Sequence, residues 1–472
     1  MSHPLSLHPD RLFPADPAVR EVARELYASV KDLPIISPHG HVPPVWIADD
    51  LEFHDPVSLL LTPDHYVTRL LHADGVSLAT LGVPPGGDYL SEDQARAAWR
   101  VFCGRWPLFY GTPMKYWTEA VLAEVFGVDV RPSEQTADAI YDVIAAAIAT
   151  KAYRPRALMD RFDIEFMATT DDPCDDLAHH DKLARDRSFH HRVVPTFRPD
   201  RYLEPGRAEW AGLVARLGEV AGEDTSTYAG WIAAMENRRA YFAAHGAVSS
   251  DHSHSDVNTT ALTRDEAERV YGRALRGQAS SSQAKGLQQT MLFEQARMAS
   301  EDGLTMTLHP AVFRNHHTPT HQRYGADVGA DIPLSVEFTR ALQPMLDAFG
   351  VQPNFTLVVF TIDETVYSRE LAPLAGFYPS MYVGVPWWFI DAPDAIRRFL
   401  EAVSESAGFS RTSGFIDDTR AFLSIPARHD MSRRMDCGHL ARLVVEHRLD
   451  VDEAAQVAHD LVASNPRKVF HV

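Results

Sequence analysis

The sequence predicts an α/β fold: a (β/α)8 barrel of the TIM type with a mostly helical insertion after the first strand. Eight short apolar segments alternate with amphipathic helical patterns, which is the order expected of parallel strands joined by helices. About 120 residues separate the first two segments, and they contain hardly any strand signal. The predicted strands are 33–39, 164–170, 192–198, 246–252, 304–310, 355–361, 380–386 and 413–418.

The long segment after the first strand is best explained as a folded insertion. A structureless loop of that length is uncommon in a compact domain. Helical patterns occur at 64–74, 92–102, 115–126 and 135–151. We therefore expect three parts: an N-terminal segment with the first strand (1–42), a helical insertion or lid (43–150), and the remainder of the barrel (151–472).

Amphipathic patterns also lie between the later strands. They predict helices at 211–220, 289–301, 334–349 and 392–407. The segment 276–286, RGQASSSQAKG, is rich in small and polar residues and predicts an exposed loop.

The composition is globular and acidic. Hydrophobic residues make up 45% and charged residues 23%, and 45 basic against 64 acidic side chains give a net charge of −19. That balance argues against nucleic-acid and anionic-membrane partners, and no apolar run is long enough to cross a bilayer. We expect no signal peptide, because the N-terminus lacks a basic region followed by an apolar stretch. The three scattered cysteines, Cys103, Cys174 and Cys437, predict free thiols and a cytoplasmic location.

Polar or aromatic side chains follow all eight predicted strands. One such residue could belong to an ordinary turn, but in a barrel the eight strand ends form one face, where active sites are found. The residues at these ends are His39, His41, Asp171, Asp172, Arg198, Asp251, His252, His309, Arg314, Asp363, Glu364, Trp387, Trp388, Asp417, Asp418 and Arg420. This clustering predicts a catalytic site.

The first strand end predicts a metal site. His39 and His41 are two residues apart, so on an extended strand both imidazoles point to the same side. The eighth strand of a barrel neighbours the first, so Asp417 or Asp418 can supply a carboxylate, and only one of them faces the barrel axis. Two histidines and one carboxylate leave positions open for substrate. We expect one divalent ion, zinc in the first place, with manganese or iron as alternatives. His309 is a further ligand or a hydrogen-bonding partner of the substrate.

Other histidine-rich segments are weaker metal sites. The pairs at 179–180, 190–191 and 316–317 are adjacent residues, whose side chains diverge on an extended chain. The segment 251–256, DHSHSD, has metal-binding side chains, but its serines favour a loop. Its first residue, Asp251, fits the strand-end site.

Several longer motifs together resemble the uronate isomerase (glucuronate isomerase) family of the amidohydrolase superfamily. The resemblance spans nearly the whole chain. The motifs are KDLPIISPHGH (31–41), LLLTPDHYVTR (59–69), YGTPMKYWTEAVLAEVFGV (110–128), TTDDP (169–173), VPTFRPD (194–200), LHPAVFRN (308–315), VPWWFID (385–391) and GFIDDTRAFLS (414–424).

The resemblance implies an enzyme that interconverts D-glucuronate with D-fructuronate and D-galacturonate with D-tagaturonate. It implies a metal held by His39, His41 and Asp418. It further implies catalytic roles for Asp418, Tyr66, His309 and Arg420, with either Asp418 or Tyr66 carrying the proton between C2 and C1. The implied substrate-binding residues are His65, Arg198, Asp251, Arg314, Trp387 and Trp388. We also expect a homo-oligomer. The HSHSD continuation after Asp251 departs from the family pattern, which leaves the preferred uronate open.

Two other function classes compete with an isomerase. One is a mononuclear metal-dependent hydrolase of the same superfamily. A two-metal hydrolase is disfavoured because its bridging lysine belongs on strand four, and no lysine lies between Lys182 and Lys285. The other class is a non-catalytic sugar-acid-binding or structural protein, which the presence of the His39, His41 and Asp418 side chains disfavours.

Overall fold

The computed structural model describes residues 4–83 and 89–472. Its strands are short and mostly buried, as expected for parallel strands covered by helices. In chain order they are β1 (Ile35–Ser37), β2 (Ile164–Ala168), β3 (Arg192–Val194), β4 (Ser249–His252), β5 (Thr305–Leu308), β6 (Val312–Phe313), β7 (Ile332–Pro333), β8 (Leu357–Val359) and β9 (Met381–Val383).

The helices alternate with the strands from β2 onward. In chain order they are α1 (Pro17–Val30), α2 (Pro44–Ala48), α3 (Pro56–Leu60), α4 (His65–Ala73), α5 (Glu92–Gly104), α6 (Pro113–Ala120), α7 (Ala137–Ile148), α8 (Pro155–Phe162), α9 (Ala178–Arg185), α10 (Trp210–Ala221), α11 (Tyr228–Ala244), α12 (Arg264–Leu275), α13 (Ser281–Asp302), α14 (Thr318–Tyr324), α15 (Gln343–Phe349), α16 (Ala372–Phe377), α17 (Pro393–Ser404), α18 (Ile425–Val445), α19 (Val451–His459) and α20 (Asn465–Phe470).

Parallel pairing organises the main sheets. One sheet has the order β1-β2-β3 and another the order β4-β5-β8-β9, and every pairing within them is parallel. Phe197, just beyond β3, bridges in parallel both to Asp171 and to Ser250 of β4. The predicted α/β class with parallel strands is therefore confirmed. The β6-β7 pair is a small antiparallel addition that the sequence analysis did not predict.

The first seven predicted strands each contain an observed strand, but the eighth, 413–418, does not form a regular one. Thr412 makes an isolated parallel bridge to Val383, and the Thr419 carbonyl accepts a hydrogen bond of 3.0 Å from the His41 amide. Gly414 has φ +74° and Asp418 has φ +39°. These left-handed conformations interrupt an extended backbone and explain why the segment runs beside its neighbours without a continuous ladder.

The segment 43–150 is helical in its described part, with α2 to α7. The four helical patterns predicted there correspond to α4, α5, α6 with the turn that follows it, and α7. Their apolar faces pack around fully buried aromatic residues, among them Trp99, Phe102 and Trp117. This burial gives the insertion a core that is continuous with that of the strands.

Two predictions in the second half of the chain were wrong in part. The predicted loop 276–286 becomes helical at Ser281, because Ser280 and Gln283 form a capping box at the start of α13. The serines that favoured a loop are therefore a helix start. Of the predicted helix 334–349, only Gln343–Phe349 is helical. None of the helices in the described ranges combines the length and the apolar character needed to cross a membrane.

Candidate active site

A cavity of about 510 Å³ opens where the chain leaves the strands. Its wall includes every residue that the family resemblance implies for the site: His39, His41, His65, Tyr66, Arg198, Asp251, His309, Arg314, Trp387, Trp388, Asp418 and Arg420. Of the other strand-end residues, Asp171 and Asp172 also line the cavity, whereas His252, Asp363, Glu364 and Asp417 do not. The lining side chains come from segments up to about 380 residues apart in the sequence. The fold therefore brings them to one face, as expected for the carboxyl ends of parallel strands.

His39 and His41 follow β1 and converge on Asp418. The Nε2 atoms of His39 and His41 lie 3.4 Å and 3.0 Å from Oδ1 of Asp418. The backbone bond between His41 and Thr419 sets this proximity, because it holds the two segments side by side. Burial lowers the pKa of His41 to about 4 and is only partly offset by Asp418. Its imidazole is therefore neutral at pH 7, which leaves a nitrogen lone pair for a ligand.

Asp418 adopts a backbone conformation that non-glycine residues seldom use. Its φ of +39° turns the carboxylate into the cavity, whereas Asp417 points the other way and lies 3.1 Å from Nε2 of His429. Strained backbone of this kind is often found at functional sites. Burial raises the pKa of Asp418, but the adjacent imidazoles of His39 and His41 outweigh this and hold the pKa well below its usual value. Asp418 is thus a buried, ionised carboxylate.

Asp251 and His309 form a second buried pair next to the first. Oδ1 of Asp251 accepts hydrogen bonds from Nδ1 of His309 at 2.6 Å and from Oγ1 of Thr307 at 2.8 Å. This contact selects the tautomer in which Nδ1 of the neutral imidazole carries the proton and Nε2 has the lone pair. Nε2 is buried without a hydrogen-bond partner among the described residues. The ring stacks between those of His39 and Phe360, with centroid distances of 4.7 Å and 4.1 Å.

These groups fit a divalent metal ion. Donor atoms of His39, His309 and Asp418 all lie within 4.8 Å of one another. Within the described part of the chain, Nε2 of His309 and Oδ1 of Asp418 are buried without hydrogen-bond partners, as expected of donors that await a ligand. Two imidazoles and a carboxylate suit zinc, manganese or iron. The set of donors that all lie close to one another therefore includes His309. His41 lies beside this set, in contact with Asp418.

We call the group formed by His39, His309 and Asp418 the metal-type cluster. Three arginines line the same cavity. Arg198 donates through Nε to Asp200 at 3.0 Å. Arg314 donates to Oγ of Ser253 at 2.9 Å. Arg420 donates to Asp327 at 3.0 Å. The cavity therefore offers guanidinium groups that can bind a small anion, although carboxylates line the same wall and the protein has a net charge of −19.

The insertion contributes His65 and Tyr66, which begin α4. The side chain of Asp64 caps this helix and accepts a hydrogen bond of 2.9 Å from the Tyr66 amide. Burial lowers the pKa of His65 to about 3 and raises that of the Tyr66 phenol above its ordinary value. Both side chains are neutral at pH 7 and stand at the cavity wall.

The two tryptophans complete the wall. The Trp387 ring lies 4.8 Å from that of His309, and the Arg314 guanidinium lies 5.0 Å from the ring centre of Trp388. Trp388 also packs against His65, with 5.2 Å between ring centroids. The tryptophans thus connect the strand-end residues to the insertion.

Sequence reasoning missed four acidic residues that line the cavity, Asp64, Asp200, Glu204 and Asp327. Asp200 accepts hydrogen bonds from Nε of Arg198 and from the backbone amide of Ser253. Its position two residues after Arg198 is a sequence signal from which it could have been predicted. Asp327 lies on a loop after α14 with no motif of its own. The DHSHSD segment forms no metal cluster within the described residues: His254 instead lies 3.5 Å from carboxylate oxygens of Asp200 and Glu204.

Comparison with known proteins places this architecture in one family. The family model for glucuronate isomerase matches residues 17–470. A curated relative from Cutibacterium acnes, a uronate isomerase, is 58% identical, and the match covers 100% of both chains. The crystal structure of glucuronate isomerase from Caulobacter crescentus superposes with a TM-score of 0.96 at 45% identity, covering 99% of this chain and 98% of that one.

A more distant structure has the same fold over its whole length. Uronate isomerase from Thermotoga maritima gives a TM-score of 0.91 at 26% identity and covers 98% of this chain and 99% of that one. The sequence motifs, the strand-end site and the full-length matches agree. The chain is a member of the glucuronate isomerase family.

Proposed function

We propose that this enzyme interconverts D-glucuronate with D-fructuronate and D-galacturonate with D-tagaturonate. The observation that carries the proposal is a single cavity in which a His/Asp metal-type cluster is surrounded by three arginines, in a chain that belongs to the glucuronate isomerase family over its full length. A hexuronate is an anion with several hydroxyl groups. It needs cationic partners, hydrogen-bonding side chains and a group that can move a proton, and the cavity offers all three.

The reaction moves two protons. One leaves C2 of the aldose and is returned to C1, and one moves from the C2 hydroxyl to the oxygen on C1, through an enediol. Asp418 and Tyr66 are the two candidates for carrying the carbon-bound proton. Asp418 is ionised and can accept it directly, whereas Tyr66 is neutral and would first have to give up its phenolic proton. His309, with the free lone pair on Nε2, and Arg420 are suited to hydrogen bond to the two reacting oxygens.

We propose one divalent ion, zinc in the first place, held by His39 and Asp418 with His41 or His309 as the third protein ligand. When bound, it supplies Lewis-acid polarisation of a substrate oxygen. The support is the donor set itself, because His41 is neutral and Asp418 is ionised, which are the forms in which such residues bind these ions. Asp251 and Asp418 raise the pKa of His39 against the effect of burial, so an ion would bind there by displacing a proton. His309 would have Nε2 available either for the ion or for the substrate.

We assign substrate binding to the cavity-lining residues that take no part in metal binding or proton transfer. A guanidinium matches a carboxylate in a planar, bidentate contact, which suits Arg198, Arg314 or Arg420 to the substrate carboxylate. His65 and Asp251 offer hydrogen bonds to hydroxyl groups, and the faces of Trp387 and Trp388 can pack against the carbon atoms of the sugar chain. Segment 43–150 would then act as a lid, since it supplies His65 and Tyr66.

We further infer that the parallel strands form a closed (β/α)8 barrel. The support is the chain of backbone contacts from β1 through β9 to Thr412, and from Thr419 back to His41. The boundaries 1–42, 43–150 and 151–472, the homo-oligomeric state and the cytoplasmic location stay predictions.

Metal analysis followed by turnover assays tests the function. Purified enzyme should contain about one divalent ion per chain and convert glucuronate and galacturonate to ketoses. A double variant, His39→Ala with His41→Ala, should fold, lose the ion and lose turnover. Release of a hydrolysis product without ketose formation would instead support the hydrolase, which the isomerase relatives disfavour. Stoichiometric metal in the double variant would move the site elsewhere, with the 251–256 segment the first place to look.

A further inference from the structure

Arg428 is a buried arginine directly behind Tyr66, and the mechanism above does not use it. It lies in the first turn of α18 and is 1% exposed. Its guanidinium carbon is 3.7 Å from the ring centre of Trp117 and 5.2 Å from that of Tyr66. The Tyr66 and Trp117 rings meet edge to face at 5.7 Å. One cation is therefore packed against two aromatic rings, one of which faces the cavity.

Two hydrogen bonds fix the orientation of Arg428. Its Nε donates to Oγ of Ser424 at 3.0 Å, and its Nη1 donates to Oδ2 of Asp391 at 2.9 Å. Asp391 lies three residues after Trp388 and is itself 3% exposed. The Arg428–Asp391 pair thus connects α18 to the segment that follows the tryptophans. Arg428 also contacts Tyr66 and Trp117 of the insertion.

A buried ion pair of this kind is weak evidence for a purely structural role. Removing two charges from water costs about as much as their attraction returns, and apolar replacements of similar volume are often neutral or stabilising. The second oxygen of Asp391, Oδ1, is also buried without a hydrogen-bond partner among the described residues. The Arg428–Asp391 pair therefore contributes little net stability, and it lies next to Tyr66, a candidate proton carrier. A functional role explains its presence better than a structural one.

The charges that face the two residues come from several elements. Arg428 and Arg69 are cations that face Tyr66, and the carboxylates of Asp391, Asp418 and Asp64 face the same phenol. Asp391, Asp64 and Asp417 face Arg428. Burial and the three carboxylates raise the pKa of Tyr66, and Arg428 opposes them. Without Arg428, which is the larger of the two cationic influences on the pKa of this phenol, Tyr66 would face three carboxylates and the weaker influence of Arg69.

We propose that Arg428, oriented by Asp391, is a positioning residue that holds the Tyr66 ring at the cavity wall and supplies the positive charge next to its phenol. The inference rests on the proposed function, in which Tyr66 takes part in proton transfer. It predicts that Arg428 affects turnover only by its effect on Tyr66, so that the effect disappears when Tyr66 is replaced.

A double-mutant cycle tests this directly. Arg428→Met keeps much of the side-chain volume and removes the charge. It should lower kcat at least tenfold with KM changed less than threefold and the metal content unchanged. In a Tyr66→Phe background, the same substitution should change kcat less than twofold. An equal loss in both backgrounds overturns the proposal, because Arg428 would then act independently of Tyr66.

The pH profile gives a second readout that a merely structural arginine would not move. Displacement of a nearby cation disfavours the phenolate, so the limb of the kcat profile that Tyr66→Phe abolishes should move to higher pH in Arg428→Lys, whose ammonium group cannot reproduce the planar contacts of the guanidinium. Asp391→Asn removes a carboxylate that raises the pKa of the phenol, so in that variant the limb should move to lower pH. An unmoved limb in both variants contradicts the proposal. These milder substitutions also keep the test usable if Arg428→Met does not fold.

Arg239→Lys is the matched control. Arg239 is equally buried and pairs with Asp302 at 2.6 Å and 3.0 Å, but it does not line the cavity. Its variant should lose thermal stability with an unchanged pH profile. If Arg428→Lys behaves in the same way, Arg428 is structural. If wild-type enzyme turns over uronates but Tyr66→Phe is fully active, the role of Tyr66 in the proposed function fails, whatever Arg428 does.

Discussion

Asp251 lies on β4 and His309 directly follows the neighbouring strand β5, with Oδ1 of Asp251 2.6 Å from Nδ1 of His309. A carboxylate can only accept at that distance, so it selects the tautomer in which Nε2 of His309 has the lone pair. His39 and Arg198 also face Asp251, at 4.0 Å and 3.4 Å from Oδ2. One buried carboxylate therefore connects the metal-type cluster with the nearest arginine.

The first prediction follows from this tautomer. Asp251→Asn keeps the shape, but its amide can donate to Nδ1 and so favour the wrong tautomer of His309. We expect a normally folded protein with roughly 10²–10⁴-fold lower kcat, the range typical of a lost proton-transfer or orienting group. Steady-state kinetics measures the loss. Thr307→Val, which removes a neutral donor to the same oxygen, should be much milder, and an Asp251→Asn enzyme near wild-type activity would contradict the proposed role of His309.

The second prediction separates two adjacent carboxylates. Asp418→Asn removes the basic carboxylate that faces His39 and His41 and should lower turnover by about 10²–10⁴-fold. It should also abolish exchange of the substrate C2 proton with solvent. Asp417→Asn should retain most activity, because Asp417 faces His429. The reverse ranking of the two variants would show that the chemistry uses the other side of this segment.

The third prediction concerns the binding of the substrate carboxylate by Arg198. Hydrogen bonds from the Arg198 side chain to described residues use only Nε, so its terminal nitrogens can bind an anion. Arg198→Lys keeps the charge but lacks the planar fork. Losing one charge-assisted contact should cost about 1.5–3 kcal/mol, which is roughly ten- to a hundredfold in kcat/KM. Metal content should not change, and unchanged kinetics would leave Arg198 with only a structural role.

The fourth prediction concerns stability and pH. Burial raises the pKa of Asp436, in α18, from 3.8 to about 7. Between these values the folded state binds a proton that the unfolded chain does not, so this group makes the protein less stable as the pH rises. Asp436→Asn keeps an acceptor for Oγ of Ser432 and should therefore stabilise the protein at pH 8, by about 1–4 kcal/mol at about 1.4 kcal/mol per pKa unit.

Thermal and urea unfolding at pH 5 and pH 8 checks this stability effect. The gain should shrink at pH 5, where Asp436 is largely protonated in the folded state. Asp347→Asn, an exposed change on α15, should show no such pH dependence. A gain that is the same at both pH values would mean that burial of the Asp436 charge is not its cause.

The sequence alone determined the elements that local patterns encode. Seven strands, the helices of the insertion and the position of the polar strand ends follow from periodicity and spacing, since these depend on nearby residues. His39 and His41 could be predicted because a spacing of two places side chains on one side of a strand. Tyr66 could not be found in this way: its helix pattern is ordinary, and only the family motif indicated it.

Only the tertiary structure decided the contacts between distant segments. The left-handed backbone at Asp418, which breaks the predicted eighth strand and turns its carboxylate toward His39, depends on surroundings that periodicity does not encode. His309 joined the metal-type cluster through Asp251, 58 residues away in the sequence. Arg428 meets Tyr66 because α18 packs against α6 of the insertion. Local propensity specifies each element, but long-range packing sets which side chains share a buried cavity and which charges face one another.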